Sequence, residues 1–109
     1  MNREASIKRS APVFAALGDA TRFRIVSQLG RDGPASITRL TAGSTVTRQA
    51  ITKHLRVLED AGVVRSRRCG RESVWQLERR SLEDARRHLD VISRQWDSAL
   101  ERLRKFVEE

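Results

Sequence analysis

The chain has 109 residues, which is enough for one domain with a modest core. Its formal net charge of +8 favours a polyanionic partner, either a nucleic acid or an anionic membrane surface. No apolar run approaches the roughly 20 residues that a membrane-spanning helix requires, and one cysteine excludes an internal disulfide. Residues 1–10 lack the apolar stretch of a secretion signal, so we expect a cytoplasmic protein.

Two short helices are predicted near the start of the chain, after a flexible basic segment over residues 1–9. Ser10-Ala11-Pro12 is typical of a helix start, because a proline in the first turn loses no hydrogen bond. This helix is expected to end at Gly18, and Asp19 is expected to cap a second helix that runs to about Leu29. In the first helix the apolar face is formed by Val13, Phe14 and Leu17. In the second helix the residues expected to be buried are Phe23, Ile25, Val26 and Leu29.

A loop over residues 30–34 separates these helices from a predicted helix-turn-helix unit. Ser36 begins a short helix, and a turn at Ala42-Gly43-Ser44 leads into another helix over about residues 47–60. Two helices joined by a short turn that contains glycine are the pattern of this motif. The second helix carries an apolar stripe at spacings of four and three, which predicts a buried face formed by Ile51, Leu55 and Leu58.

The opposite face of that helix is polar and basic. It contains Arg48, Gln49, Thr52, Lys53 and Arg56, and it has no acidic residue before Glu59. Guanidinium forks, amides and hydroxyls are the groups that read base edges and hold phosphates in the major groove of DNA. The pattern therefore predicts a DNA recognition helix.

A basic hairpin is predicted directly after the recognition helix, over about residues 63–78. Gly62 suits the left-handed residue that ends a helix. Two β-branched runs then flank a turn at Cys69-Gly70-Arg71-Glu72, which is typical of a two-stranded hairpin. Arg67, Arg68 and Arg71 lie near its tip. A helix followed by a basic hairpin is the layout of a winged helix-turn-helix, in which the hairpin is the wing.

The charge is concentrated on this helix and hairpin. Eight basic residues lie between Ser36 and Arg71 against the two acids Glu59 and Asp60, whereas residues 81–109 carry seven acids and six bases. The basic surplus therefore coincides with the elements that are predicted to contact DNA.

A long amphipathic helix is predicted over about residues 81–107, with Ser81 and Asp84 resembling a capping box. Its apolar residues alternate at spacings of three and four for more than three heptads, as in a coiled coil. The stripe is about 36 Å long, longer than a core of this size covers, and this favours a dimer seam over packing within one chain. It consists of Leu82, Ala85, Leu89, Ile92, Trp96, Ala99, Leu103 and Phe106.

Three blocks of sequence, in order, resemble the ArsR/SmtB winged-helix repressors. Residues 14–25 resemble the opening "ALGDPTRxxIL", and Thr47–Val64 resembles the stretch "SRQAVSKHLRVLEEAGLV". Gly70-Arg71 with Trp75-Gln76-Leu77 resembles the wing "GRxxxYxL". The resemblance extends over about residues 12–107. It implies a homodimeric regulator that is released from operator DNA by a metal ion or another signal, with the first and last helices at the dimer interface.

The metal ligands of that family are not matched. Where arsenic and cadmium sensors carry "CxC", this chain has Thr38–Ser44, which contains no thiol. Zinc and nickel sensors carry further histidines after a pair like Asp84 and His88, and no second histidine follows here. Asp97 and Glu101 are one turn apart, but carboxylates alone suit zinc poorly. We therefore expect no metal site and no cofactor, and the effector stays unknown.

Neither the two histidines nor the single cysteine is expected to bind a metal ion. His88 is expected to be an exposed polar residue, and His54 to support the recognition helix or touch a phosphate. Cys69, near the arginine-rich tip, leaves open a regulator that responds to thiol chemistry or to a small molecule without a metal. A winged-helix module that binds protein is the other open interpretation, although the shared basic face argues against it. Without a phosphate-binding loop, a nucleophile with its base or a metal cluster, an enzyme is rejected.

The sequence thus predicts a mainly α protein with a small β-hairpin, a flexible segment over residues 1–9 and one winged helix-turn-helix domain over residues 10–109. We expect it to bind double-stranded DNA as a homodimer and to act as a transcriptional repressor. We do not expect it to bind a membrane surface, the other polyanion that its charge would allow. The predicted DNA-binding residues are Ser36, Thr45, Thr47, Arg48, Gln49, Thr52, Lys53, Arg56, Arg67, Arg68 and Arg71. The predicted dimer interface contains Val13, Phe14, Leu17, Leu89, Ile92, Trp96, Ala99, Leu103 and Phe106.

Overall fold

Five α-helices and a three-stranded sheet are found in the computed structural model, which describes residues 3–108. In chain order the elements are α1 (Arg3–Leu17), α2 (Ala20–Asp32), β1 (Ala35–Ser36), α3 (Ile37–Thr41), α4 (Arg48–Asp60), β2 (Val64–Cys69), β3 (Glu72–Leu77) and α5 (Arg79–Glu108). The predicted class, mainly α with a small hairpin, is confirmed. Residues 1, 2 and 109 lie outside the described residues, as do the start of the predicted flexible segment and the predicted end of the domain.

The first helix begins at Arg3, so the prediction of a helix start at Ser10 after a flexible segment is wrong for residues 3–9. Pro12 lies inside this helix, where its missing N–H removes one backbone hydrogen bond. This helix packs on α5, where Ser6 Oγ and His88 Nε2 lie 2.9 Å apart. The buried face of α1 contains Ser10, Val13 and Ala16. Packing between distant segments, which local start signals do not report, therefore sets the start of α1.

The start of α2 is the predicted one, and its end is not. Asp19 is the N-cap, and its carboxylate accepts a hydrogen bond from the backbone N–H of Arg22 at 3.0 Å. The helix continues three residues past Leu29 and ends before Gly33, whose φ of 83° lies in the left-handed region. The N–H of Gly33 donates to the Leu29 carbonyl, which closes the helix end.

Phe23 was predicted to be buried, but 59% of its surface is exposed. Residues two apart on a helix point about 200° apart, so Phe23 lies nearly opposite Ile25. Because Ile25 and Leu29 face the core, Phe23 faces outward.

The core lies between α1, α2, α4 and the sheet. The predicted stripe of α4 is confirmed, since Ile51, Leu55 and Leu58 are all buried and Leu55 is completely so. These side chains form one cluster with apolar residues from every other element of the fold. Its other buried members are Val13, Ala16, Ile25, Leu29, Ala35, Leu40, Val63, Val64, Trp75 and Ala85.

The sheet contains the predicted hairpin and one strand that the sequence did not indicate. Its order is β1-β3-β2 with antiparallel pairing, and Cys69 lies opposite Glu72, so the loop is the two residues Gly70-Arg71. Gly70 has a φ of 63° while Arg71 does not have a positive φ, as in a type II′ turn. Strand β1 has only two residues, and it pairs Ala35 with Trp75. This pairing ties the hairpin to the helix-turn-helix.

Helix α4 ends as predicted at a left-handed glycine. Gly62 has a φ of 78°, and the N–H of Val63 donates to the Leu58 carbonyl at 2.9 Å. A Cβ at this position would lie 3.3 Å from Ser81 Oγ, so space as well as backbone conformation favours glycine.

Helix α5 begins at Arg79, two residues before the predicted start, so the capping box is wrong. Ser81 lies inside the helix, and the carboxylate of Asp84 pairs with Arg87 instead. Within the described chain only Ala85 of this 30-residue helix is buried. The apolar side chains that are exposed on α5 are Leu89, Val91, Ile92, Trp96, Leu100, Leu103, Phe106 and Val107. The molecule measures 66 × 34 × 20 Å because α5 extends well beyond the core.

Candidate nucleic-acid interface

The polar face of α4 is presented to solvent. Arg48, Gln49, Lys53 and Arg56 are exposed and Thr52 is half-buried, while the opposite stripe is in the core. No carboxylate pairs with these four cationic and amide side chains among the described residues. The face is thus free to meet phosphates and base edges.

Hydrogen bonds to the backbone determine whether each hydroxyl group predicted to bind DNA can still act as a donor or only as an acceptor. Thr47 Oγ1 accepts from the N–H of Ala50 and Ser36 Oγ accepts from the N–H of Arg39, so each caps a helix and keeps its own proton for a phosphate. Thr52 Oγ1 instead donates to the Arg48 carbonyl at 2.9 Å. Its remaining capacity is as an acceptor, which suits a base amino group better than a phosphate oxygen.

The turn before α4 is longer than predicted. Since α3 ends at Thr41 and α4 begins at Arg48, the connection runs over residues 42–47 and not only 42–44. Ser44 Oγ accepts a hydrogen bond from the N–H of Val46, which orders this segment. Thr45 is exposed in the middle of it, one turn ahead of the recognition face.

Thr38 is a candidate residue that the sequence analysis missed. A guanidinium N–H of Arg48 donates to Thr38 Oγ1 of α3 at 3.1 Å, so the first side chain of α4 is held by the other helix of the motif. The neighbouring Arg39 is exposed on the same short helix. A spacing of ten residues between threonine and arginine carries no periodic signal, and only the crossing of α3 over α4 brings them together.

A polar cluster anchors the inner side of α4 to the beginning of α2. Arg22 Nε donates to the Ala16 carbonyl at 2.6 Å, and its terminal nitrogen lies 3.4 Å from His54 Nδ1. His54 Nδ1 is also 3.9 Å from the carboxylate of Asp19. The hydrogen bond from the Arg22 backbone N–H holds the pKa of Asp19 below its ordinary value, helped by the positive charge of Arg22. His54 therefore supports the recognition helix and does not face outward.

The three wing arginines are all exposed, but the strand register separates two of them. Arg67 lies opposite Val74 and Arg68 lies opposite Ser73. Because consecutive strand residues point to opposite faces, Arg67 and Arg68 present their charges on different sides of the hairpin. Arg71 is in the turn itself, next to exposed Cys69 at the end of β2.

His88 is not the exposed residue that was predicted. It is half-buried between α5 and α1, where its Nε2 contacts Ser6 Oγ. In residues 3–108 no three side chains of histidine, cysteine, aspartate or glutamate come close enough to hold a metal ion. The pattern of Asp84 and His88 therefore has a structural explanation in the packing of α5.

The residues predicted for the dimer interface differ in accessibility. Val13 is buried in the core of its own chain, and Phe14, Leu17 and Ala99 are half-buried. Five are exposed, from Leu89 at 51% to Phe106 at 77%. The exposed members are Leu89, Ile92, Trp96, Leu103 and Phe106. None of the helices in the described residues is long and apolar enough to cross a membrane.

Known proteins share both this fold and much of this sequence. A family profile described as a helix-turn-helix domain matches residues 17–67. The HTH-type transcriptional regulator Rv2034 of Mycobacterium tuberculosis is 38% identical over 87 residues, which are 80% of this chain and 78% of that protein. The structure of an ArsR-like transcriptional regulator from Rhodococcus sp. RHA1 is 36% identical, with a TM-score of 0.76, over 94% of this chain and 95% of that one.

A more distant structure extends the likeness of fold. The homodimeric winged helix-turn-helix DNA-binding domain of Mb0332 from Mycobacterium bovis is 22% identical, with a TM-score of 0.64, over 94% of this chain and 92% of that one.

A core of helices, a solvent-facing basic helix and a basic hairpin define this molecule as a winged helix-turn-helix protein. It is a DNA-binding transcriptional regulator. The chain belongs to the ArsR family.

Proposed function

We propose that the protein is a transcriptional repressor that binds a palindromic operator as a homodimer. The observation that carries this proposal is that α4 and α5 are both amphipathic but differ in whether their apolar stripe is buried. The apolar stripe of α4 is buried and leaves its basic face free, whereas the apolar stripe of α5 is itself exposed. The first face suits DNA, and the second suits another copy of α5.

The dimer is supported by the size and character of the exposed stripe. Trp96 alone is 63% exposed, and Leu89 and Leu103 extend the same stripe to either side. Contiguous apolar surface of this kind is unusual on a monomeric protein. The homodimeric state of the Mb0332 domain, which has the same fold, agrees with this assignment. Val13 is left out of the proposed interface because it is buried in its own core.

On the DNA, we assign α4 to the major groove and the wing to the phosphate backbone. Arg48, Gln49, Thr52, Lys53 and Arg56 would face base edges and the adjoining phosphates. Ser36, Thr45 and Thr47, near the amino ends of α3 and α4, would donate hydrogen bonds to phosphates. Arg67, Arg68 and Arg71 would add sequence-independent attraction.

Repression needs no further surface on the protein. A dimer that covers two half-sites about one helical turn apart occupies the promoter by itself. We infer in addition that the chain has no catalytic activity, since members of its family act by binding DNA. We likewise infer a cytoplasmic location, because that is where the protein would meet its DNA partner.

The proposal is tested by isolating the genomic fragments that the protein retains and titrating one of them. We expect protection of two half-sites with one dyad, a stoichiometry of two chains per site and lower expression of a reporter that carries the site. Retention of one chain per site, or a reporter that rises when the protein is expressed, would contradict the homodimeric repressor.

A further inference from the structure

A groove lies between α1 and α5, on a part of the molecule that the proposed DNA interface does not use. Its volume is about 620 Å³, within the range of small-molecule sites, and none of its lining residues comes from α4 or the wing. Ile7 and Phe14 of α1 form one apolar wall, and Val91 and Ile92 of α5 form the other. The groove is thus formed where α5 packs against α1, including the first turns of α1 from Arg3 onward.

One lining residue is a buried polar side chain that lacks a partner. Ser10 is only 3% exposed, and within residues 3–108 its Oγ makes no hydrogen bond. A buried hydroxyl without a partner lowers stability, so such groups are normally satisfied by protein, water or a ligand. Ser10 lies between this groove and a second cavity that contains Asp84 and Arg87, so its hydroxyl is positioned to meet a polar atom from either side.

The other polar groups of the lining favour a negative charge. Exposed Arg3 contributes a guanidinium, His88 is fixed by its contact of 2.9 Å with Ser6 Oγ, and Gln95 contributes an amide. Within residues 3–108, no aspartate or glutamate lines the groove. Donors at a groove with apolar walls match a ligand that has an apolar body and one anionic group.

We propose that this groove binds a small aromatic or aliphatic carboxylate. The apolar body lies between the walls of α1 and α5, and the carboxylate accepts hydrogen bonds from the donors along the groove, including the hydroxyl of Ser10. Phe14 and Ile92 belong both to the groove and to the residues assigned to the homodimer interface, so the groove borders the seam of the proposed homodimer. Dimerisation would cover its open side, and in this respect alone the inference rests on the proposed function.

The site is tested by calorimetric titration of the full chain, without DNA, with 2-naphthoate and with the neutral 2-naphthamide. We expect one site per chain and a Kd for the carboxylate about three- to tenfold lower than for the amide, because charge-assisted hydrogen bonds are stronger than neutral ones. Arg3→Gln should reduce that preference, and Ser10→Ala should weaken the binding of the carboxylate about threefold.

A matched pair of variants locates the site. Ala11 lines the groove and Ala15, one turn further along α1, does not, and both are exposed. Ala11→Phe should fill the groove and abolish binding, whereas Ala15→Phe should leave the Kd unchanged. Both variants add the same bulk to an exposed helix position, so circular dichroism should show the same fold for each.

Three outcomes would overturn the proposal. The first is the absence of saturable binding of either probe to the wild-type chain. The second is equal binding by Ala11→Phe and the wild type. The third is a Kd that rises with protein concentration, which would assign the groove to a second copy of the chain. Because DNA is absent from these titrations, each of these results leaves the test of operator binding intact.

Discussion

Helices α4 and α5 are both amphipathic, and they use their apolar faces in opposite ways. In α4 the stripe of Ile51, Leu55 and Leu58 is buried in its own chain, with Leu55 completely inaccessible. In α5 only Ala85 is buried, and Trp96 is 63% exposed. The same spacing of three and four residues therefore occurs in one helix whose apolar stripe is buried within the chain and in another whose apolar stripe is exposed.

Periodicity therefore reports which residues share a face of a helix, and it does not report what covers that face. Burial of a stripe is favourable at about 25 cal/mol per Å² of apolar surface, whichever chain provides the partner. Helix α4 finds its partners in α3, α1, α2 and β2. Helix α5 lies along α1 in its amino-terminal half, as far as about Gln95, and the rest extends beyond the core.

The largest expected effect follows from placing a charge on the exposed face of α5. Trp96→Asp would put a carboxylate into the proposed seam, where it lacks a partner, and shift the protein toward monomer. Affinity for the operator should fall by about 10²–10⁴-fold, since the linked second half-site is lost. Analytical ultracentrifugation and DNA titration on the same sample measure both effects.

The control for this change is Ser98→Asp, which adds the same carboxylate on the opposite face of α5. It should leave both the dimer and the DNA affinity unchanged. A folded Trp96→Asp protein that stays dimeric would remove α5 from the interface, and its stripe would then need another explanation.

The next effect compares one truncation on each helix. Leu55→Ala should lower the free energy of unfolding by about 2–5 kcal/mol, because it leaves a cavity in a packed core. Leu103, which is 58% exposed, offers the matched substitution. At protein concentrations below dimer dissociation, Leu103→Ala should change stability by less than about 0.5 kcal/mol. Urea unfolding checks both values, and similar losses in the two variants would show that α5 is packed in the monomer.

Smaller effects are expected on the polar face of α4. Gln49→Ala and Arg48→Ala should each reduce binding to the specific site by about 1–3 kcal/mol and relax the base preference. Gln49 is the cleaner test, since Arg48 also holds Thr38. Arg102→Ala on α5 is the control for loss of one exposed charge. Unchanged affinities of both α4 variants for specific and random DNA would mean that another element reads the sequence.

The smallest effect is expected from the wing. Arg67→Ala or Arg68→Ala should weaken binding to all sequences alike and reduce the slope of log K against log salt by about 0.9 per lost phosphate contact. A dimer has two wings, so the change can count twice. Because the two side chains point to opposite faces of the hairpin, the variant with the larger change identifies the face that meets DNA. Loss of binding to one sequence with the slope intact would assign the wing to base reading.

Much of the DNA-binding part could be predicted because its signals are local. Asp19, Ser36 and Thr47 each cap a helix by accepting a hydrogen bond from an N–H three residues further on. The hairpin turn depends on the positive φ of Gly70, which glycine adopts without strain. The exposure of the basic face of α4 follows from its buried stripe, since the two share a single helix.

The parts that were missed depend on contacts between distant segments. The contact of Arg48 with Thr38 requires α3 to cross α4, and the pairing of Ala35 with Trp75 adds a two-residue strand that has no pattern of its own. Neither contact leaves a periodic trace in the sequence, so no local rule finds it.

Local signals were enough to predict the helix-turn-helix, the wing and the amphipathic character of α5, because caps, turns and periodicity act over a few residues. Three features could be seen only in the folded chain: α1 begins at Arg3 and continues past Pro12, Phe23 faces outward, and Ser10 is buried beside a groove. The first and the last of these features depend on how α1 lies against α5, and the outward position of Phe23 depends on which face of α2 meets the core. The physical reason is that packing free energy depends on which surfaces meet, and two helices about 80 residues apart meet only in the folded chain.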